Sequence, residues 1–477
     1  MRATLLGHAC WLFETTVGCF LMDPVLFDPF EEGTVTACPR RAVRVDQLPG
    51  LQGIVVSHRH LDHFDLPSLA ALDRCVPVFC PDDPFLLYGL QRLGFRHVHR
   101  LAPGEPQQLG ALRLLPTPSL HREVLEYGLV WQDETGTIFN QVDTFLAAET
   151  IDWLRREMGQ LDVHLAMYAS QNFHFFENKR ENTAAMHAIN LHTASRLGAR
   201  CVVPAAAGFR FVDDLAWLNQ HVFPISRARF LRDFQHINAA PRTAVINPGD
   251  TLEVKHGDVT VHRQAAGFVT MLEDDTHLIA YDASAPIPPL TDRNPAGYGL
   301  QGLEEFTQGV LERGLAQYLA QSMTTGEPLT MQYLQYAVSY EVAVVFPNGK
   351  SRFWTYHFDR QRQAVQCQVG SGTTVPDVRQ RITASALVDL CLGRRSYFAV
   401  RTQSRRSVQV CAVVQTAHGI VGQEVDLPDL LTHYVINAMA GAERRGKEWI
   451  DFMTRDLKVS IMPGGIPESQ GGKTATY

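Results

Sequence analysis

The sequence predicts a mixed α/β protein in which a sheet layered with helices is followed by a smaller α+β domain. Three observations lead to this prediction. The first 210 residues begin with β-hairpins and then alternate strands with helices. The composition becomes rich in turn residues around residues 238–260. Beyond residue 300, a helix with one apolar face is followed by a meander of short strands.

The first domain is expected to cover residues 1–255. It opens with two strands that meet at "TTVG", the first being "ATLLGHACWLFET" and the second "CFLMDP". Strand "GIVVS", a histidine-rich loop and a helix near "LPSLAALDRC" follow. Two further strands form a hairpin with "ETG" at its turn. The remaining helices and strands alternate as "AAETIDWLRREMGQ", "LDVHLAMY", "TAAMHAINLHTASRLGA" and "RCVVPAA".

We expect residues 256–299 to form a connecting segment, which includes a linker rich in proline, glycine and aspartate at residues 284–299. Residues 300–415 predict the α+β domain, and residues 416–477 a C-terminal extension with a disordered tail. Helix "GLEEFTQGVLERGLAQYLA" comes first, and "TASALVDLCLGRRSYFAV" is predicted to run from a helix into a strand. The strands between them are "YEVAVVFP", "SRFWTYHFD" and "AVQCQVG".

The bulk composition excludes several classes of protein. The formal net charge is −7, with acidic and basic residues interspersed, which argues against a nucleic-acid-binding protein. No apolar run is long enough to predict a membrane span. The nine cysteines include no Cys-x-x-Cys pair, so we expect a reduced, cytoplasmic protein.

The stretch "IVVSHRHLDHFDL" carries the strongest chemical signal. After an apolar strand it presents His58, His60, Asp62 and His63 within six residues. Imidazole and carboxylate groups are the ligands that zinc and iron prefer. The His-x-His pair can bind one ion, while Asp62 and His63 point to the other side and can bind a second. The stretch therefore predicts a metal site at the carboxyl edge of a sheet.

The motif "SHRHLDH" resembles the His-x-His-x-Asp-His signature of the metallo-β-lactamase superfamily. The resemblance implies an αββα sandwich that binds two metal ions. It implies that His121, in "LLPTPSLH", completes the first ion's site with His58 and His60. It further implies that Asp143, in "TIFNQVDTF", bridges that ion to the one held by Asp62 and His63.

Two earlier segments extend this resemblance. Asp23 in "LMDP" is similar to the acidic residue that orients the histidine loop in the family. His8 in "GHAC" is similar to the Gly-His segment that opens many members related to lactonases and phospholipases. The resemblance implies that His8 lines the pocket and that it acts in catalysis together with Asp62.

One part of the family pattern is missing. The family has a last histidine ligand on a late strand, but the matching segment "RCVVPAAAGFRF" holds alanines at positions 205–207. The second ion therefore needs another ligand. His174, in the same segment as Glu177, is the preferred replacement, and His221 is the alternative.

A narrower resemblance covers much of the later sequence. The segments "VVPAAAGFRF", "WLNQHVFP" and "INPGDTLEV" resemble the part of the CMP-N-acetylneuraminate hydroxylases that follows their Rieske domain. The smaller α+β domain resembles a sterol-carrier-protein fold. A Rieske centre needs Cys-x-His and Cys-x-x-His pairs, and this sequence contains neither. Electrons are therefore expected from a separate donor protein or from the substrate.

Two functions remain open on this reasoning, and a third, a non-enzymatic binding module, is disfavoured by the intact histidine motif. The first is a non-haem diiron oxygenase or hydroxylase of a small metabolite, because oxygen binding needs open metal positions. The second is a hydrolase of a phosphoester, lactone or amide that uses a metal-bound hydroxide. We favour the oxygenase, with iron preferred and zinc as the alternative. The apolar composition of the second domain suits a lipid pocket or homodimer contacts.

Overall fold

The computed structural model describes residues 1–121, 124–172, 183–370, 375–408, 411–416, 419–425, 427–439 and 441–457. The chain divides into two compact units. The first is built mainly from residues 1–172 and 183–287, and the second from residues 288–452. The division thus falls inside the segment that was expected to connect the domains. None of the described helices has the length and apolar character needed to cross a membrane.

The first unit contains two large sheets and six helices among its described residues. Its strands are β1 (Arg2–Gly7), β2 (Cys10–Thr15), β3 (Gly18–Met22), β4 (Val35–Ala37), β5 (Arg40–Val43), β6 (Leu51–Val55), β7 (Val78–Cys80), β8 (Val98–Arg100), β9 (Gln107–Leu109), β10 (Leu112–Pro116), β11 (Leu129–Asp133), β12 (Gly136–Asn140), β13 (Val163–Met167), β14 (Cys201–Ala205), β15 (Phe209–Phe211), β16 (Arg242–Thr243), β17 (Thr251–Lys255), β18 (Asp258–His262) and β19 (Val269–Glu273). Its helices are α1 (Leu66–Ala70), α2 (Pro84–Leu93), α3 (Ala148–Met158), α4 (Thr183–Leu197), α5 (Asn219–Val222) and α6 (Arg227–Ile237).

The first sheet has eight strands in the order β18-β17-β1-β2-β3-β6-β7-β8. Its early strands form antiparallel hairpins, whereas β3, β6, β7 and β8 run parallel. Helices α1 and α2 lie in the connections that parallel strands require. Strands β17 and β18 extend this sheet, which is why the first unit continues past residue 255.

The predicted first strand "ATLLGHACWLFET" is wrong. The structure divides it into β1 and β2, which pair antiparallel around a tight turn at His8 and Ala9. Gly7 has a φ of +134° and His8 a φ of +52°, so both residues leave the extended conformation. Continuous apolar character concealed this turn, because both strands are buried over most of their length.

The second sheet has seven strands in the order β16-β14-β13-β12-β11-β10-β9. Its β11–β12 hairpin pairs Asp133 with Gly136, so the predicted "ETG" turn is confirmed. The two sheets share one apolar core, in which Phe13 of the first stacks on Trp131 of the second at 4.1 Å between ring centroids. Helices α3, α4 and α6 pack on the outer face of the second sheet. The predicted sandwich is therefore confirmed.

The second unit is an α+β structure. Its described strands are β20 (Ser339–Val345), β21 (Ser351–Asp359), β22 (Ala364–Val369), β23 (Val378–Thr383), β24 (Ser404–Val408), β25 (Cys411–Thr416) and β26 (Gly419–Glu424). Its helices are α7 (Leu300–Gln308), α8 (Ala316–Thr325), α9 (Pro328–Tyr336), α10 (Ala384–Cys391), α11 (Tyr397–Thr402), α12 (Leu430–His433) and α13 (Ala442–Thr454). A five-stranded sheet, β22-β21-β20-β23-β24, packs on the helices through one large core. A π-helical segment, Gly309–Leu315, joins α7 to α8 without a break.

Candidate metal centre

The histidine loop leaves the first sheet where two parallel strands end side by side. Strand β6 continues into Ser57 and His58, and the adjacent β3 continues into Asp23. The Asp23 amide donates to the Val55 carbonyl at 2.8 Å, which extends the pairing by one residue. The fully buried Asp23 carboxylate then accepts 2.7 Å hydrogen bonds from the amide and from the hydroxyl of Ser57. The start of the loop is thus fixed by a carboxylate on the neighbouring strand.

The same carboxylate orients two of the histidines. His63 Nδ1 lies 2.9 Å from Asp23 Oδ2. His58 Nδ1 lies 2.9 Å from Ser57 Oγ, whose own proton is donated to Asp23. Both Nδ1 atoms are therefore donors, which leaves each Nε2 atom without a proton in the neutral ring. Metal-binding histidines are held in this way by an acceptor on the far ring nitrogen.

A first group of potential ligands consists of His58, His60 and Asp143, with one ligand atom of each within 4.8 Å of the others. His58 Nε2 and His60 Nδ1 are 2.9 Å apart. Donors bound to one ion at about 2.0–2.2 Å, with angles of roughly 90–110° between them, lie roughly 2.8–3.6 Å from each other, so this spacing fits a shared ion. Asp143 Oδ2 is 3.9 Å from His58 Nε2 and 3.4 Å from His63 Nε2. The Asp143 carboxylate thus lies between the two sides of the histidine loop.

A second group consists of His8, Asp62 and His63. Asp62 Oδ2 is 3.0 Å from His8 Nε2 and 3.6 Å from His63 Nε2. The buried His63 Nε2 atom faces the Asp143 and Asp62 carboxylates at 3.4 and 3.6 Å without a well-aligned hydrogen bond among the described residues. Because an imidazole nitrogen and neighbouring carboxylates can bind one cation together, this nitrogen fits a metal ligand. The donor set contains only imidazole and carboxylate groups, which suits iron or zinc.

The charges of the centre are strongly coupled. Burial, together with the charges of His63 and His60, lowers the pKa of His58 well below its usual range. Burial alone would also lower the pKa of His63. The carboxylates of Asp62 and Asp143 outweigh this effect and raise the pKa well above its usual range. Burial would raise the pKa of Asp62, yet the His63 charge and the His8 hydrogen bond lower it. A cation that binds here therefore has to displace a proton from His63.

Asp143 sits on a turn that buried polar groups support. The preceding residue, Val142, is buried with a φ of +54°, a strained value for a β-branched side chain. Gln141 donates through Nε2 to the Thr144 carbonyl at 2.9 Å, and Thr144 Oγ1 donates back to the Gln141 carbonyl at 2.6 Å. Nε2 of the buried His164 lies 2.9 Å from Gln141 Oε1. Sequence reasoning missed these supporting residues, although "NQ" directly after an apolar strand was a signal.

His121 lies on the segment that follows β10 and belongs to neither group of ligand atoms. Its Nδ1 is 3.3 Å from Oε2 of the buried Glu126, and Glu126 in turn accepts a 2.6 Å hydrogen bond from Ser119 Oγ. His121 thus has the same kind of carboxylate orienter as His63. Sequence reasoning did not single out Glu126, because only the folded segment brings it onto the His121 ring.

The late strand β14 ends at the alanines of the atypical motif. Ala205, Ala206 and Ala207 are all buried, and the last two have φ values of +52° and +100°. The next residue, Gly208, packs so closely on the first sheet that a Cβ atom there would lie 3.1 Å from His8 Cα. The strand end thus meets the His8 turn and supplies no metal-binding side chain.

Of the two proposed replacements for the missing ligand, only His221 falls within the described residues. His174 and Glu177 lie outside the described residues. His221 is buried in α5, packs on Trp217 at 5.7 Å between ring centroids, and belongs to neither ligand group.

Comparisons with known proteins agree with this architecture. Residues 23–204 match the model of the beta-lactamase superfamily domain. A Rieske 2Fe-2S iron-sulfur protein of Mycolicibacterium smegmatis is 28% identical over 179 residues, which cover 35% of this chain and 34% of that protein. The chain therefore matches about a third of that relative's length.

Two similar solved structures have sequence identities of 18% and 14% to this chain. An isothiocyanate hydrolase from Delia radicum gut bacteria has a TM-score of 0.40, with 54% of this chain and 100% of that chain covered. The diiron β-hydroxylase CmlA from Streptomyces venezuelae has a TM-score of 0.37, with 55% of this chain and 54% of that chain covered. The predicted superfamily resemblance is confirmed by the match of residues 23–204. The first unit therefore has a metallo-β-lactamase-type fold, and residues 23–204 within it are similar to the beta-lactamase superfamily domain.

Proposed function

We propose that this chain is a dinuclear metalloenzyme that uses two iron ions to hydroxylate a small molecule with electrons from a separate protein. The observation that carries the proposal is the composition of the first ligand group. His58, His60 and Asp143 offer two imidazoles and one carboxylate around a single point. This donor set, with the remaining positions open, is characteristic of non-haem iron sites that react with oxygen.

Each residue of the centre then has a role. His58 and His60 would hold the first ion, and Asp62 with His63 would hold the second. Asp143 would serve both sides, since its Oδ2 atom lies within 4 Å of the nearest nitrogen on each side. His121 belongs to neither ligand group, so its role as a further ligand of the first ion stays a prediction. When bound, the two irons would supply the redox chemistry that activates dioxygen.

The relationship to Rieske iron-sulfur proteins supports an oxidative reaction. A Rieske cluster transfers electrons, which an oxygenase needs and a hydrolase does not. The relatives resemble this chain over about a third of their length, and the present sequence lacks paired Rieske ligands. We therefore propose that the electrons come from another polypeptide that carries such a centre.

Hydrolysis is the second candidate, and the match to the beta-lactamase superfamily domain favours it. Imidazole and carboxylate ligands also suit zinc, which activates water for attack on an ester or amide. In that reaction Asp62 would orient the attacking water, because its carboxylate is partly exposed between His8 and His63. The same side chains thus serve either reaction, and the metal distinguishes them.

Metal identity and oxygen reactivity test the proposal together. The full chain is produced in medium with iron and zinc in excess, purified without oxygen, and assayed for both metals. We expect about two irons per chain, and a change in visible absorption when the reduced protein meets oxygen. Two zinc ions per chain, together with hydrolysis of a generic lactone or phosphodiester, would contradict the oxygenase proposal and support the hydrolase.

Asp143→Ala tests the ligand assignment in the same experiment, and Asp162→Asn is its control. Asp143 lies between the two sides of the centre, whereas Asp162 is a buried aspartate that accepts a 2.9 Å hydrogen bond from the Thr137 amide. Asp143→Ala should lose metal and Asp162→Asn should keep it. Full retention of metal by Asp143→Ala would contradict the ligand assignment for either reaction.

A further inference from the structure

We infer that His8 is the protein ligand that completes the second metal site, in place of the histidine that the late strand lacks. The inference rests on the proposed dinuclear centre and assigns one more of its ligands. His8 comes from the turn between β1 and β2, on the first sheet, rather than from the second sheet. The site would thus keep its number of ligands while drawing one from a different part of the fold.

The distances support a shared ion. His8 Nε2 is 3.0 Å from Asp62 Oδ2, and one ligand atom from each of His8, Asp62 and His63 lies within 4.8 Å of the others. These three residues offer two imidazoles and one carboxylate, the same donor set as the first group. Ala205 and Ala206 leave no donor on the strand end that would otherwise supply this ligand.

The His8 ring is held in place before any ion binds. The ring is 5% exposed and lies between Phe30 and Phe209, at 5.7 and 5.3 Å between centroids. The turn that carries His8 is held by Arg41, which donates through Nη1 to the Leu6 carbonyl at 2.7 Å. A rigid ligand loses little conformational freedom on binding, which favours metal affinity.

The far ring nitrogen of His8 can be satisfied when Nε2 is bound. Nδ1 is buried and has no hydrogen-bond partner among the described residues. His8, Tyr168 and Arg227 are among the residues that line a cavity of about 20 Å³. This volume is enough for one water molecule, which Nδ1–H could donate to while Nε2 binds the ion.

Metal titration of full-length variants tests the inference with a readout that does not depend on activity. Cobalt(II) is the probe, and affinities come from competition with a chelator. Wild type should bind two ions per chain. His8→Ala should bind one with near-wild-type affinity, and its second dissociation constant should rise more than the roughly 10–100-fold that loss of an orienting partner costs. The control His187→Ala should bind two, since buried His187 pairs with Asp233 at 2.9 Å outside both ligand groups.

A pair of near-isosteric substitutions separates coordination from structure. His8→Glu places a carboxylate oxygen about where Nε2 lies, whereas His8→Gln has the same shape but is a poor ligand. We expect His8→Glu to retain the second ion at least 10-fold more tightly than His8→Gln. Equal affinities of the two variants, or a second dissociation constant in His8→Ala that rises 100-fold or less, would overturn the inference. If wild type binds no ions, the dinuclear function itself fails. If wild type and His8→Ala both bind two with equal affinity, only the role of His8 fails.

Discussion

At the scale of single residues, the centre depends on one fully buried carboxylate. Asp23 accepts three hydrogen bonds, from the amide and hydroxyl of Ser57 and from His63 Nδ1. An ionised carboxylate without water is strongly unfavourable unless such donors surround it. The same hydrogen bonds that make Asp23 tolerable in the core therefore also fix the loop and its imidazoles.

Asp23→Asn should weaken metal binding by about 10–100-fold, the usual effect of losing an orienting partner. Its amide would face donors, so the variant should also lose roughly 1.5–3 kcal/mol of unfolding free energy. Chelator competition and urea denaturation measure the two effects. The control Asp162→Asn removes another buried carboxylate of the first unit and should lower stability while leaving metal affinity unchanged. Equal metal affinity in the two variants would contradict the role of Asp23 in orienting the metal ligands.

His164 predicts a specific acid sensitivity. Burial lowers its pKa to about 3, whereas an unfolded histidine titrates near pH 6.5. Between these values the unfolded chain binds a proton that the native chain does not, so stability falls as the pH falls. The contribution is about 1.4 kcal/mol per pH unit. Chemical denaturation of the metal-free protein between pH 7 and pH 4.5 should give a shallower profile for His164→Gln. Parallel profiles would exclude His164 as the source.

At the scale of elements, local patterns predicted strands and turns where period and turn residues agreed. The hairpin at "ETG" is one example. The prediction failed where two local signals disagreed. "SYFAV" was predicted as a strand, but the structure has helix α11 there, begun by Ser396, whose side chain accepts a hydrogen bond from the Ala399 amide. The prediction was wrong because β-branched and aromatic residues outweighed a good N-cap.

Two glycines of one long helix should respond in opposite ways to alanine. Gly302 lies in α7 with open space where the methyl group of an alanine would point, so Gly302→Ala should stabilise the protein by about 0.5–1 kcal/mol. Gly314 lies in the π-helical segment, where a Cβ atom would overlap the Tyr434 hydroxyl. Gly314→Ala should destabilise by about 1–3 kcal/mol. Thermal denaturation of the two variants checks the signs, and equal shifts would refute the packing argument.

At the scale of the whole molecule, the metal centre collects side chains from distant parts of the sequence. His8 follows β1, the histidine loop follows β6, and Asp143 follows β12 on the opposite sheet. The motif alone identified the loop, and the resemblance to the metallo-β-lactamase superfamily indicated Asp143. No local sequence pattern predicted the roles of Ser57 or Glu126. The contact between His8 and Asp62 depends on the turn between β1 and β2, which the sequence pattern did not predict. Distances between segments arise only when the two sheets pack together.

Removing the metal should affect one unit selectively, because every described ligand lies in the first unit. An ion present at 100 times its dissociation constant contributes about 2.7 kcal/mol to the unit that binds it. Chelation should therefore speed amide exchange by about 100-fold in the core strands of the first unit, as measured by hydrogen–deuterium exchange. Peptides from β20–β24 provide the internal control and should exchange at an unchanged rate. A uniform increase across both units would contradict this assignment.

The single carboxylate of Asp23 also has a consequence for how the protein fills with metal. It restrains His63 directly and His58 through Ser57, and these two imidazoles belong to different candidate ligand groups. An ion that binds on one side would therefore further restrain a ligand on the other side. Loading should be cooperative, so that a half-titrated sample contains mainly empty and fully occupied chains. Assays on such a sample would then report a smaller amount of the complete enzyme instead of a distinct one-metal form.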